Sequence, residues 1–240
     1  MIRATLALST FLFVCGCASY TTPGGGVSVS TLGDSDIQAI MSREQAANFP
    51  ANISVARVQA AGYRSHTNDS FGTGRYSVVT TRDVESDADF ERLGSMTAVR
   101  GVAPINRILL PTDLDSIKAL REASARLKAD VLLIYTFDTS FQAGGQRIGP
   151  LDVVTLGFLR KQDVNVTTTV TAALFDVRTE YLYGLSEATA KETGRSNAWS
   201  TALAVDDLRV STEKSAFAKL IPEIEKTWSG VISEYHPAGD

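Results

Sequence analysis

Two runs of residues joined by a five-residue turn constrain this chain more than anything else in it. Val164, Val166, Val170, Ala172 and Leu174 alternate with Asn165, Thr167, Thr169, Thr171 and Ala173. A period of two puts the apolar set on one face of a strand and the threonine-rich set on the other. Asp176-Val177-Arg178-Thr179-Glu180 then supplies turn chemistry, and Tyr181-Leu182-Tyr183-Gly184-Leu185 returns as an aromatic-rich antiparallel partner. Upstream, Val131, Leu132, Leu133, Ile134, Tyr135 and Phe137 form a continuous apolar run. That is the pattern of a strand buried on both faces, and hence of a central one.

The remaining elements are read against this core. A capped helix is expected over Asp34 to Phe49, with Ile37, Ile40, Met41 and Ala47 at helical spacing and Pro50 as its stop. Asn52 to Gln59 and Tyr76 to Thr81 read as strands. Asp87 to Val99 reads as a helix, with Phe90, Leu93, Met96 and Val99 facing inward. A short strand from Ile105 to Leu110 precedes a helix opened by Thr112-x-x-Asp115, with Leu114, Ile117, Leu120 and Leu127 on its inner side. The last helix begins near Asp206, carries Phe217, Leu220, Ile221, Ile224, Trp228 and Val231 on one face, and is expected to bend or restart at Pro222. The alternation of helix and strand before Tyr135 implies parallel neighbours joined by crossovers. The expected fold is therefore α/β (α+β): one domain over residues 34–235, with a mixed sheet of about five to six strands flanked by helices. It ends in an antiparallel hairpin and a C-terminal helix, followed by a tail at residues 236–240.

At the N-terminus, Arg3 is followed by the apolar run Ala4 to Val14 and then Cys15-Gly16-Cys17, the layout of a secretory signal peptide. The run is too short to cross a bilayer. Val14-Cys15-Gly16-Cys17 resembles a bacterial lipobox, which implies a signal peptide over residues 1–16 and lipidation of Cys17. The alternative is an ordinary secreted protein cut near Ala18. Ala18, in place of aspartate, resembles the signal that directs such lipoproteins to the outer membrane, facing the periplasm. Residues 17–33 then comprise the lipidated cysteine and a Gly-, Ser- and Thr-rich tether. The chain's other cysteine, Cys15, would leave with the signal peptide, so no disulfide framework is expected and the core alone must stabilise the domain.

Charge and composition narrow the function classes. The formal net charge is −4 at pH 7, without basic patterning, which argues against nucleic acid and leaves the membrane as partner only through the lipid. The two histidines are His66, in the polar loop Gly62 to Gly74 beside Asp69, and His236 in the tail. A lone loop histidine is ordinarily solvated, so no metal, cofactor or catalytic residue is assigned and no enzyme is expected. An envelope hydrolase built from a Ser or Thr with one of these histidines is the weaker alternative.

Between Thr139 and Asp163 lies a Gly-rich excursion with an apolar half of neither period. Val153, Val154, Leu156, Phe158 and Leu159 would be costly to leave in water. They read as a candidate contact with a partner or a second copy, against two alternatives: a loop folded over the domain's own core, and a membrane contact.

The layout as a whole resembles a family. Ala129-Asp130-Val131-Leu132-Leu133, Val170 to Asp176, Asp176 to Gly184 and a closing helix are similar to bacterial envelope lipoproteins with an anticodon-binding-like α/β domain, such as the curli secretion lipoprotein and the lipoprotein activators of penicillin-binding proteins. Leu151 to Leu159, Asp176 to Gly184 and the lipobox resemble the rhombotarget lipoproteins more closely. The resemblance implies a non-enzymatic lipoprotein that binds, scaffolds or activates an envelope partner, with an oligomeric assembly scaffold as the alternative. Its motifs are structural and carry no catalytic residues. The Gly-Gly tail that some members present to a rhomboid-type protease is not matched by His236-Pro237-Ala238-Gly239-Asp240.

Overall fold

A computed structural model describes residues 25–28, 37–65, 70–143, 146–147, 164–194 and 202–236. The elements are α1 (Ile37–Met41), β1 (Ala51–Ala60), β2 (Thr73–Gly74), β3 (Tyr76–Val79), α2 (Asp87–Gly94), β4 (Val99–Pro104), β5 (Asp113–Leu114), α3 (Ile117–Arg126), β6 (Val131–Ala143), β7 (Gln146–Arg147), β8 (Val164–Asp176), β9 (Leu182–Gly194) and α4 (Ala202–Tyr235). The main sheet runs β3-β1-β6-β8-β9, with β4 sharing the β3 edge of β1 and the short β7 paired to β6. β1, β4 and β6 are mutually parallel. β8 is antiparallel to both β6 and β9. This is the expected α+β architecture with its hairpin and closing helix.

The parity of each strand assigns its residues to two layers. Leu133, Tyr135 and Phe137 of β6, with Val170, Ala172 and Leu174 of β8, face α4 and α2 and meet Phe217, Leu220, Ile221, Ile224 and Trp228. Leu132 and Ile134, with Ala173 and Phe175, face the other way onto Ile117, Leu120 and Ala123 of α3. A continuous apolar run is therefore needed in β6, because both of its faces are covered.

Several elements depart from the sequence reading. The first helix stops at Met41, and Ile37, Ile40 and Met41 are exposed. Residues 43–48 run irregularly across the hairpin turn because side chains satisfy their backbone: the Asp176 carboxylate accepts the Ala46 N–H at 2.7 Å and Arg178 donates to the Ala46 carbonyl at 2.8 Å. α2 ends at Gly94, and Val99 begins β4, which pairs with β1. Ile105–Leu110 is accordingly not a strand but a short 3-10 turn over Arg107–Leu109. β6 and β9 extend well past the residues that marked them, to Ala143 and Gly194. α4 starts at Ala202 and passes continuously through Pro222. Pro222 lies on the exposed side of the helix, where water can take the carbonyl left without a donor. His236 is exposed, and one face of its ring stacks on Phe49 with centroids 5.9 Å apart.

Candidate functional site

β1 pairs with β6 only over Val131–Tyr135, so the second half of β6 continues beyond it with β8 and β9 as a three-stranded ribbon. Where β1 ends, Gln59 takes over. Its buried Oε1 accepts the Phe137 N–H at 3.2 Å and the Thr136 hydroxyl at 2.8 Å. α4 covers one face of the ribbon. On the other, α3 reaches only as far as Ala173 and Phe175, and beyond them Thr167, Thr169 and Thr171 lie half-buried beside exposed Glu187, Thr189 and Lys191. The threonine-rich face read from the sequence is thus the open face of the sheet.

A groove of about 430 Å³ opens there, with Val58, Ile134 and Phe175 at its apolar end and Thr171, Asp138 and Glu187 along its polar side. Its remaining wall is the N-terminal segment Gly26, Val27 and Ser28. The Val27 N–H donates to Thr136 Oγ1 at 3.1 Å, and that hydroxyl donates onward to Gln59. A Cβ on Gly26 would meet Thr136 Oγ1 at 3.3 Å, so glycine permits the close approach. The expected free tether over residues 17–33 is therefore seated on β6 at Gly25–Ser28.

A second constellation, missed from the sequence, lies beneath the N-terminal half of α4. Arg57, Arg209, Glu213 and Asp206 are all buried. Glu213 Oε2 accepts Arg209 Nη1 at 2.6 Å and Arg57 Nη2 at 3.2 Å, while its Oε1 accepts the Thr139 hydroxyl at 3.0 Å. Asp206 accepts Arg209 Nε at 2.9 Å, and Asp83 accepts Arg57 Nη1 at 2.9 Å. Asp83 Oδ2 stands 3.6 Å from Arg209 Nη2, an ion pair without a hydrogen bond. The Tyr135 hydroxyl donates to Glu85 at 2.6 Å. Burial, and then the nearby Glu85 charge, push the Tyr135 phenol well above its ordinary pKa. The guanidinium of Arg57 also lies 4.7 Å from the Phe137 ring centroid. Every ion here has an opposite charge at hand, which fits a fastening between α4 and the sheet rather than a site open to a reactant. The signal was present in the sequence: Arg57 interrupts an apolar strand, and Asp206, Arg209 and Glu213 share a helical face at i, i+3 and i+7.

Of the residues singled out from the sequence, Cys17, His66, Asp69 and the contact set Val153, Val154, Leu156, Phe158 and Leu159 lie outside the described residues. Among the described residues no group of His, Cys, Asp and Glu is arranged to hold a metal ion, and no helix is long and apolar enough to cross a membrane.

No protein-family model matches the chain, and no curated protein matches it. Solved structures similar in outline include the following two. A Xanthomonas campestris protein of the family model DUF330 aligns at 12% identity over 79% of this chain and 91% of its own, with a TM-score of 0.36. A PelC dodecamer from Paraburkholderia phytofirmans aligns at 17% identity over 75% of this chain and 93% of its own, with a TM-score of 0.26. Both are loose superpositions.

Proposed function

We propose that this chain is a lipoprotein anchored through Cys17 in the outer membrane, facing the periplasm, whose α/β domain binds or scaffolds another envelope protein without catalysing a reaction. The observation that carries this reading is the N-terminal segment seated on β6 at the wall of the open groove. Gly25 lies eight Cα–Cα steps from Cys17, a reach of at most about 29 Å when fully extended. A tether running free to the start of the domain would let it wander about twice as far. Seating Gly25–Ser28 keeps the groove close to the lipid, where an envelope partner would meet it. The similarity of the lipobox and of Asp176 to Gly184 to rhombotarget lipoproteins points the same way. Leu151 to Leu159 remains part of the proposal as a second contact.

Two measurements test it. Cys17→Ser should take up no labelled palmitate, and equal labelling of the variant refutes the anchor. A photo-crosslinking amino acid in place of Thr171, on the groove side of β8, should yield an adduct with another envelope protein in intact cells. An adduct pattern unchanged from that of an exposed control site on α1 refutes the groove as the binding surface.

A further inference from the structure

β9 is the last strand of the sheet, and among the described residues no strand pairs with its outer edge. Its alternate backbone groups bond to β8 and the others point outward. The outward set is identified by α4, whose Lys219 Nζ and Thr227 Oγ1 donate across the edge to the carbonyls of Thr189 at 3.3 Å and Leu185 at 3.4 Å. Leu185, Glu187, Thr189, Lys191 and Thr193 therefore present their N–H and C=O groups to an incoming strand, and their side chains are all exposed on the open face. Among the described residues no strand covers this edge, and the two carbonyls that each accept one α4 side chain can accept a second donor, so an edge of this length is a template for pairing.

This edge is self-complementary. Antiparallel pairing with a second copy about a two-fold axis at Thr189 sets Glu187 opposite Lys191 of the second copy, and Lys191 opposite its Glu187. The same register overlaps the strand end to end from Gly184 to Gly194. A two-fold axis at Glu187 or Lys191 instead sets like charges against each other, and an axis at Ala188 or Ala190 leaves both charges facing neutral residues. Opposite charges directly across strands stabilise pairing, and like charges oppose it. On the α4 side the same register sets Ala188 opposite Ala190, so no bulky or charged pair opposes the pairing there. We propose that β9 joins a second copy of this chain in an antiparallel, two-fold dimer centred on Thr189, merging the two sheets into one. This interface does not use the lipid anchor, and it borders the groove at Glu187, whose carboxylate accepts the Thr171 hydroxyl at 3.3 Å.

The full-length lipoprotein in detergent, studied by native mass spectrometry and sedimentation, tests the inference. The unaltered protein should be dimeric. Thr189→Pro removes the central outward N–H and leaves the ladder to β8 intact, so it should give a monomer with an unchanged melting temperature. Glu187→Lys should weaken the dimer about tenfold by setting two pairs of like charges in register. Combining it with Lys191→Glu should restore the original affinity, and this pair of variants decides the matter even if the proline variant fails to fold. A monomeric unaltered protein, a dimer indifferent to Glu187→Lys, or a double reversal that does not restore pairing overturns the proposal.

Discussion

Replacing Asp176 with alanine is expected to be among the most damaging single changes in the domain. Asp176 closes β8, is fully buried, and accepts four hydrogen bonds. Its Oδ1 takes the N–H groups of Arg178 at 2.7 Å and Thr179 at 3.1 Å, which forms the turn. Its Oδ2 takes the Ala46 N–H at 2.7 Å and the Tyr183 hydroxyl at 2.9 Å, which ties the incoming chain and β9 to that turn. Hydrogen bonds to a charged group contribute about 1.5–3 kcal/mol each. The four do not add in full, because water can reach part of the turn once the carboxylate is gone. Each neutral donor left without an acceptor and out of reach of water costs about 1–3 kcal/mol, so Asp176→Ala should cost about 3–5 kcal/mol. At about 2–4 °C per kcal/mol for a protein of this size, the melting temperature should drop by about 6–20 °C. Asp176→Asn should cost about half as much, since its oxygen can keep the Arg178 and Thr179 donors and the Tyr183 hydroxyl can turn to accept from the amide. The Ala46 N–H alone is then left facing another donor. Urea unfolding by linear extrapolation measures both variants. A loss below about 1 kcal/mol for alanine would mean that water replaces the carboxylate at no cost and that the turn is held elsewhere.

Leu174→Ala removes a buried side chain from the layer between β8 and α4 and should cost about 2–5 kcal/mol; a change under about 0.5 kcal/mol would mean that this face is not the core side. Glu213→Ala removes the carboxylate shared by two buried guanidinium groups, leaving Arg57 with Asp83 and Glu85 and Arg209 with Asp206, and should cost about 3–5 kcal/mol by chemical denaturation. Glu213→Gln, which keeps an acceptor but loses the charge, should fall between the two. Lys128→Gly should stabilise by about 0.5–1 kcal/mol, because Lys128 ends α3 with a φ of 59°, a left-handed conformation that glycine adopts without strain. The backbone bond from Ala129 N–H to the Ser124 carbonyl at 3.0 Å already holds that conformation, so a loss of stability on substitution would refute the account.

The elements whose stability is local in origin can be read directly from the order of the residues. β8 was legible because a period of two in side-chain polarity is a direct image of a half-covered sheet, the start of β9 because turn residues lead into an aromatic-rich run, and β6 because a strand covered on both faces is apolar throughout. The inner face of α4 was legible from its spacing. Boundaries set by partners were not. β4 is a strand because β1 offers it an edge, not because Val99–Pro104 resembles one, and α1 ends early because Asp176 and Arg178, far away in sequence, satisfy the backbone around Ala46. The two sites divide the same way. The threonine face that forms the open groove was visible as a pattern, whereas its significance rests on where α3 stops and where Gly25–Ser28 lies, both tertiary facts. The buried network under α4 joins Arg57 to Glu213 across 156 positions of chain, and polarity alone makes each look like a surface residue. Only the packing of α4 on the sheet excludes water from them, and that exclusion is what makes opposite charges find one another.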